Sequence, residues 1–191
     1  MKKLISTSLM TVGILFSQVG MTSVPTLALT FDTNVNKINM SSSQEAKVQS
    51  AEEKMRSVIG SSEFKNRVIN FTYNGKKQFL NNGGLTNTQI YYKILNGAEK
   101  LYPSLNNAMD MGMKLYYENS STVGWTSPSL SYINVNTKYF NTYTSSKVAG
   151  NMMHEWLHKL GFTHTSYYTS VRKYSVPYAI GYIMAELAAK Y

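Results

Sequence analysis

The three histidines of this 191-residue chain all lie in one stretch of eleven residues, HEWLHKLGFTH. They are His154, His158 and His164, and Glu155 directly follows the first of them. Imidazoles are common ligands of divalent metals, and a carboxylate beside a metal can move protons. The segment therefore predicts a metal site with a carboxylate next to it.

A helix would bring the first two histidines together. We expect a helix that begins near Ser145 or Ser146, in which His154 and His158 lie one turn apart on the same face. Its other, apolar face is expected to pack in the core and comprises Ala149, Met152, Met153, Trp156 and Leu160.

Gly161 favours an end to this helix, because glycine readily adopts the left-handed conformation of a C-terminal cap. The chain can then turn back, so that His164 approaches the other two histidines from a loop. Three neutral imidazoles around an open fourth position are typical of a catalytic zinc site, where the pKa of a bound water falls to about 7. Glu155 lies about 60° around the helix from His158. Its carboxylate can therefore act as general base and then general acid without ligating the metal.

The stretch HEWLHKLGFTH resembles the elongated HExxHxxGxxH signature of the metzincin clan of zinc metallopeptidases. The match covers the five defining positions His154, Glu155, His158, Gly161 and His164. The resemblance implies an α+β, metzincin-like zincin fold: a twisted mixed sheet, an active-site helix with the first two ligands, and a short C-terminal helical subdomain. It also implies an edge strand within residues 122–136 that binds substrate in an extended form.

The methionine turn of the clan is atypical in this chain. SVPY (175–178) stands where a Ser-x-Met-x-Tyr type turn is expected, with Pro177 in the place of the methionine. The first methionine after His164 is Met184, which the pattern places in the last helix. Tyr178 resembles the tyrosine that stabilises the oxyanion in some members of the clan. The alternative for Tyr178 is a packing role.

The segments around the motif alternate between helix and strand. A first helix is predicted in SSSQEAKVQSAEEKMRSVIG, and a second, capped by Thr86, is predicted to end before Pro103. Between them, Asn74 and Gly75 predict the two-residue turn of a hairpin. Strands are predicted in MGMKLYYEN and on both sides of the Ser-Pro-Ser turn at 127–129. YAIGYIMAELAAKY predicts a closing helix.

The N-terminus is typical of a secretion signal, predicted over residues 1–30, because Lys2 and Lys3 precede the apolar run LISTSLMTVGILF. A retained N-terminal anchor is the alternative. Residues 31–43 are polar and predict a linker or short propeptide remnant, and residues 44–191 a single zinc metallopeptidase catalytic domain. The formal net charge is +9, and removal of the two leader lysines leaves +7. The absence of cysteine excludes disulfides, thiolate zinc sites and cysteine catalysis.

The sequence thus predicts a secreted or periplasmic zinc metalloendopeptidase, with one catalytic Zn²⁺ and a protein or peptide substrate. We expect a monomer with no membrane span after signal removal and no specific nucleic-acid partner, and the binding of calcium is left open. One alternative is a non-catalytic zinc-binding or cell-surface protein on the same fold, against which the intact Glu155 argues. Another is a zinc hydrolase that acts on cell-wall peptide cross-links, which the basic charge permits.

Overall fold

The computed structural model describes residues 30–191. The predicted secretion signal, except for its last residue, lies outside the described residues. Within residues 30–191, no helix combines the length and apolar character needed to cross a bilayer.

Within the described residues, four strands form one mixed sheet in the order β1-β2-β4-β3. The strands are β1 (Asp32–Ile38), β2 (Ala108–Tyr116), β3 (Gly124–Trp125) and β4 (Tyr132–Asn136). β1 runs parallel to β2, with Asp32 opposite Ala108, and β2 runs parallel to β4, with Gly112 opposite Tyr132. The short β3 pairs antiparallel with β4 and forms the edge of the sheet.

The presence of β1 corrects the prediction of a linker over residues 31–43. Thr33 and Val35 are buried, while the residues that alternate with them point to solvent. Phe31, just before the strand, packs edge-on against Trp156 with ring centroids 5.6 Å apart. The segment is polar because a half-buried strand carries polar residues on its outer face. The folded domain therefore includes residues before 44.

Residues 30–191 form six α-helices: α1 (Ser42–Ile59), α2 (Ser62–Ile69), α3 (Asn87–Asn96), α4 (Thr137–Phe140), α5 (Ser145–Lys159) and α6 (Val176–Ala188). The predicted first, second, motif-bearing and closing helices are confirmed as α1, α3, α5 and α6. Capping boxes at Ser41 and Thr86 begin α1 and α3. α3 ends earlier than predicted, because Gly97 adopts a left-handed conformation with φ of 67°. The two-residue turn at Asn74 and Gly75 is confirmed, although its hairpin is reduced to a single bridge.

The core lies between the sheet and helices α1, α5 and α6. The predicted core face of α5 is confirmed, because its five residues are at most 1% exposed: Ala149, Met152, Met153, Trp156 and Leu160. Met109, Met113 and Ile133 from the sheet are likewise fully buried in the same core. Helices packed on a mixed sheet confirm an α+β architecture in general terms.

Candidate metal centre

The end of α5 turns the chain back toward the helix. After the cap residue Leu160, Gly161 has φ of 95°, a conformation that side chains with a Cβ rarely adopt. The amide of Phe162 donates to the carbonyl of Leu157 at 3.0 Å, which completes a hydrogen-bonded C-terminal turn. A Cβ at position 161 would also lie 2.7 Å from Cε of Lys100. The reversal predicted at Gly161 is therefore present, and it carries the chain back to His164.

The three predicted ligands meet at one point. Nε2 of His164 lies 3.2 Å from Nε2 of His158 and 3.2 Å from Nε2 of His154. Ligand atoms of all three lie within 4.8 Å of one another. Tetrahedral zinc with Zn–N bonds of about 2.0–2.1 Å places neighbouring nitrogens roughly 3.3 Å apart. The spacing thus fits a zinc ion bound through the three Nε2 atoms.

Backbone carbonyls orient the imidazoles. Nδ1 of His158 lies 2.8 Å from the carbonyl oxygen of Phe162, and Nδ1 of His164 lies 2.9 Å from that of Thr165. A carbonyl can only accept, so Nδ1 of His158 and of His164 carries the proton and leaves Nε2 free to ligate.

Burial keeps the three imidazoles neutral. It lowers the pKa of His158 and of His164, although hydrogen bonds to backbone carbonyls raise each in part. Burial lowers the pKa of His154 well below its usual value, and repulsion from His158 and His164, when these are protonated, and from Arg172 lowers it further. Neutral imidazole is the form that binds a metal.

Glu155 lies beside this cluster without joining it. The residue is only 3% exposed, and burial raises the pKa of its carboxyl to about 8. The edge strand β3 passes close to this carboxylate, because a Cβ on Gly124 would lie 3.1 Å from its Oε1. The same Cβ would lie 3.3 Å from Oδ1 of Asn151 on α5. The edge strand expected within residues 122–136 is therefore next to the predicted general base.

The first turn of α6 brings Tyr178 to the histidines. Its ring centroid lies 4.4 Å from that of His154 and 4.7 Å from that of His164. The start of α6 is held by Leu80, which donates to the carbonyl of Tyr174 at 2.9 Å and accepts from the amide of Val176 at 3.2 Å. The segment SVPY, which was expected in place of a methionine turn, therefore brings Tyr178 against the histidine cluster.

Pro177 and Met184 occupy different places in that last element. Pro177 stands in the first turn of α6, next to Tyr178. Met184 lies further along α6, in the last helix as predicted, and is fully buried in the core.

Arg172 is a site residue that sequence reasoning missed. It lies in a 3-10 turn (Arg172–Tyr174), and its guanidinium carbon is 4.5 Å from the ring centroid of Tyr178. Nη2 donates to the hydroxyl of Tyr178, and Nη1 donates to the carbonyl of Ser166 at 3.2 Å. No motif surrounds Arg172, so only the fold reveals its contact with Tyr178.

One cleft of about 350 Å³ contains the reactive groups. Its lining includes His154, Glu155 and Tyr178 at the histidine cluster, and Lys147 two helical turns earlier on α5. A metal, a carboxylate and a phenol could therefore all reach one bound molecule.

Comparison with known proteins identifies no relative. No family model matches the chain, and no curated protein or solved structure matches it. The functional interpretation therefore depends on the residues and geometry of the site itself.

Proposed function

We propose that this protein is an extracytoplasmic, zinc-dependent peptidase with a metzincin-like zincin fold that hydrolyses peptide bonds. The observation that carries the proposal is the histidine cluster, in which Nε2 of His164 lies 3.2 Å from Nε2 of both His154 and His158. His154 also lines one cleft with Glu155. The edge strand β3 beside Glu155 supports it, because an exposed strand edge can pair with an extended peptide. Within residues 30–191, no other strand pairs with the outer edge of β3.

His154, His158 and His164 would hold one zinc ion through Nε2. Zinc in such a site polarises a carbonyl and lowers the pKa of a coordinated water to about 7. The carboxyl of Glu155 ionises more readily beside a cation than its burial alone would allow. Glu155 then accepts the proton of the attacking water and returns it to the leaving amine.

Tyr178 would stabilise the negative charge that develops on the carbonyl oxygen. Arg172 donates a hydrogen bond to the phenol oxygen, and its guanidinium cannot accept one in return. The hydroxyl proton of Tyr178 is consequently free to donate into the cleft. A preorganised donor of this kind contributes to catalysis because it favours the transition state over the bound substrate.

The burial of Glu155 argues against a non-catalytic metal-binding protein. A buried carboxylate costs folding free energy, and a protein that only bound zinc through three histidines would have no need of it. The net charge of +9 favours binding to anionic surfaces such as cell walls. Purified cell wall is therefore included as a substrate in the test.

The test measures zinc content and the cleavage of a quenched peptide library by the purified protein and by Glu155→Gln. Equimolar zinc in both proteins, with cleavage by the wild type alone, would support the proposal. Purified cell wall serves as a second substrate, and its degradation without peptide cleavage would favour a cross-link hydrolase. Zinc in both proteins with no hydrolysis of either substrate would contradict a peptidase.

A further inference from the structure

The cleft continues away from the histidine cluster along α5 to Lys147. Lys147 precedes His154 by seven residues and Glu155 by eight. At 1.5 Å of rise per residue, its position lies roughly 10–12 Å along the helix from theirs. This distance leaves room for a substrate side chain between the reacting bond and the lysine.

The far end of the cleft combines an apolar wall with one cation. Gly150 and Ala185, which pack closely together, line the cleft there with Tyr143. Nζ of Lys147 is 5.6 Å from the ring centroid of Tyr143.

The ammonium group of Lys147 is available to bind an anionic ligand group at this end of the cleft. In the part of the chain that the structure describes, its ammonium forms no ion pair and no hydrogen bond, whereas Lys190 pairs with Glu63. Among the cleft-lining residues, the sole carboxylate is that of Glu155.

Asn151 places a side-chain carbonyl oxygen, an available hydrogen-bond acceptor, between the Lys147 end and the Glu155 end of the cleft. It lies one helical turn from both Lys147 and Glu155, and it lines the same cleft. Its Oδ1 is buried and has no hydrogen-bond partner among the described residues. Buried acceptors are normally satisfied, so a partner from a bound molecule, such as a peptide N–H, fits this position.

We propose that Lys147 binds a carboxylate of the substrate, so that the enzyme prefers peptides with an acidic group close to the scissile bond. The inference rests on the proposed peptidase function. The carboxylate can belong to an Asp or Glu side chain or to a free C-terminus, and both would meet the same ammonium group.

The test uses quenched host peptides in which each position near the cleavage site carries Glu, Gln or Lys in turn. Each peptide is made with a free and with an amidated C-terminus. At one position we expect kcat/KM to be about two- to fivefold higher for the Glu peptide than for the Gln peptide, as for a partly exposed ion pair. This ratio should shrink in high salt. A preference that depends on the free C-terminus alone would assign the carboxylate to the chain end.

Variants of Lys147 establish the cause of the preference. Lys147→Met should abolish it, and Lys147→Glu should reverse it in favour of Lys peptides. Lys76→Glu, at an exposed lysine outside the cleft lining, makes the same change in net charge and should leave the preference intact. Equal cleavage of Glu and Gln peptides by the wild type, or a preference that survives Lys147→Met, would overturn the inference.

A binding measurement separates this inference from the proposed function. Fluorescence anisotropy of the labelled peptides on the zinc-treated Glu155→Gln protein reports affinity without turnover. Preferential binding of Glu or free-acid peptides, with no cleavage by the wild type, would retain the role of Lys147 and refute the peptidase. Cleavage without any preference would refute the role of Lys147 alone. The absence of both binding and cleavage would refute the role of Lys147 and the peptidase function.

Discussion

The contacts of Arg172 determine what the hydroxyl of Tyr178 can do. The guanidinium lies over the ring and donates to the phenol oxygen, while its other nitrogen is held by the carbonyl of Ser166. Arginine stays protonated and cannot accept a hydrogen bond. In the proposed mechanism the two residues would therefore act as one unit, in which Arg172 positions the phenol and Tyr178 contacts the substrate.

Removal of the Tyr178 hydroxyl should lower turnover and leave metal binding intact. We expect Tyr178→Phe to reduce kcat roughly a hundredfold, as for the loss of one oxyanion donor, with little change in KM. The control Tyr174→Phe lies outside the cleft lining and should retain activity. Arg172→Met should also lower kcat, but add little in the Tyr178→Phe background, because coupled residues are not additive. Steady-state kinetics and zinc content measure these effects, and independent effects of the two substitutions would contradict the pairing.

Glu99 should make stability depend on pH. It is 1% exposed, and its Oε1 accepts from Nε1 of Trp156 and from the amide of Asp110, while Oε2 is buried without a partner. Burial raises the pKa of its carboxyl from the ordinary 4.5 despite these hydrogen bonds. The folded state therefore holds the proton more tightly than the unfolded state. The resulting stability is present below pH 4.5 and is lost as the pH rises through the folded-state pKa.

Glu99→Gln should remove this dependence, because glutamine is uncharged throughout and keeps an acceptor for Trp156. Urea unfolding of the metal-free protein at pH 4 to 7 measures the free energy of unfolding at each pH. The stability of Glu99→Gln relative to wild type should increase with pH. Glu53→Gln, at an exposed carboxylate, is the control and should show little change. A difference between Glu99→Gln and wild type that stays constant with pH would contradict the prediction.

At the scale of elements, the close packing of α5 and α6 sets the distance between the metal ligands and Tyr178. A Cβ on Gly150 would lie 2.6 Å from Cβ of Ala185 and 2.8 Å from the carbonyl oxygen of Gly181. A Cβ on Gly181 would lie 3.2 Å from Cβ of His154. Glycines at both positions allow the helices to approach, and so bring Tyr178 to the histidines.

Gly150→Ala should force these helices apart. We expect a loss of about 1–3 kcal/mol in the free energy of unfolding, since overpacking outweighs the better helix propensity of alanine. Turnover should fall as well, because α6 carries Tyr178. The matched control is Gly60→Ala, where the nearest atom to a new Cβ is 3.4 Å away and φ is −71°. Chemical unfolding of both variants measures the effect, and equal stability of the two would show that the contact is not tight.

The elements that local signals specify were predictable from the sequence. α1 and α3 carry capping boxes, and α5 shows both a helical period and a glycine at its end. β1 was missed because its partner β2 lies some seventy residues away and its outer face is polar. α2 was missed because eight residues contain too few turns to establish a period.

The same distinction applies to the site. The three histidines and Glu155 occupy one helix and the loop after it, so their spacing alone indicated a shared site. Arg172 and Gly124 reach that site only through the packing of α6 and the path of β3. Contacts of this kind are tertiary, and no local pattern contains them.

At the scale of the whole molecule, a bound metal would tie α5 to the loop that carries His164. Ligands that bind only the folded state stabilise it, by about 4 kcal/mol when free zinc is a thousandfold above its Kd. For a domain of this size we expect zinc to raise Tm by roughly 10 °C over the chelated protein. Differential scanning calorimetry measures the shift. His164→Ala should lose most of it, and a zinc-induced shift that persists in this variant would contradict the assigned ligands.

The central claim is that one zinc ion, held by His154, His158 and His164, is required for peptide hydrolysis. The most direct measurement is to remove metal from the purified protein and follow peptide cleavage while zinc is added back in known amounts. The account predicts no cleavage without metal, a linear rise with added zinc, and saturation at one equivalent, with no recovery in Glu155→Gln. Full cleavage by the metal-free protein, or a protein that binds no zinc, would contradict it.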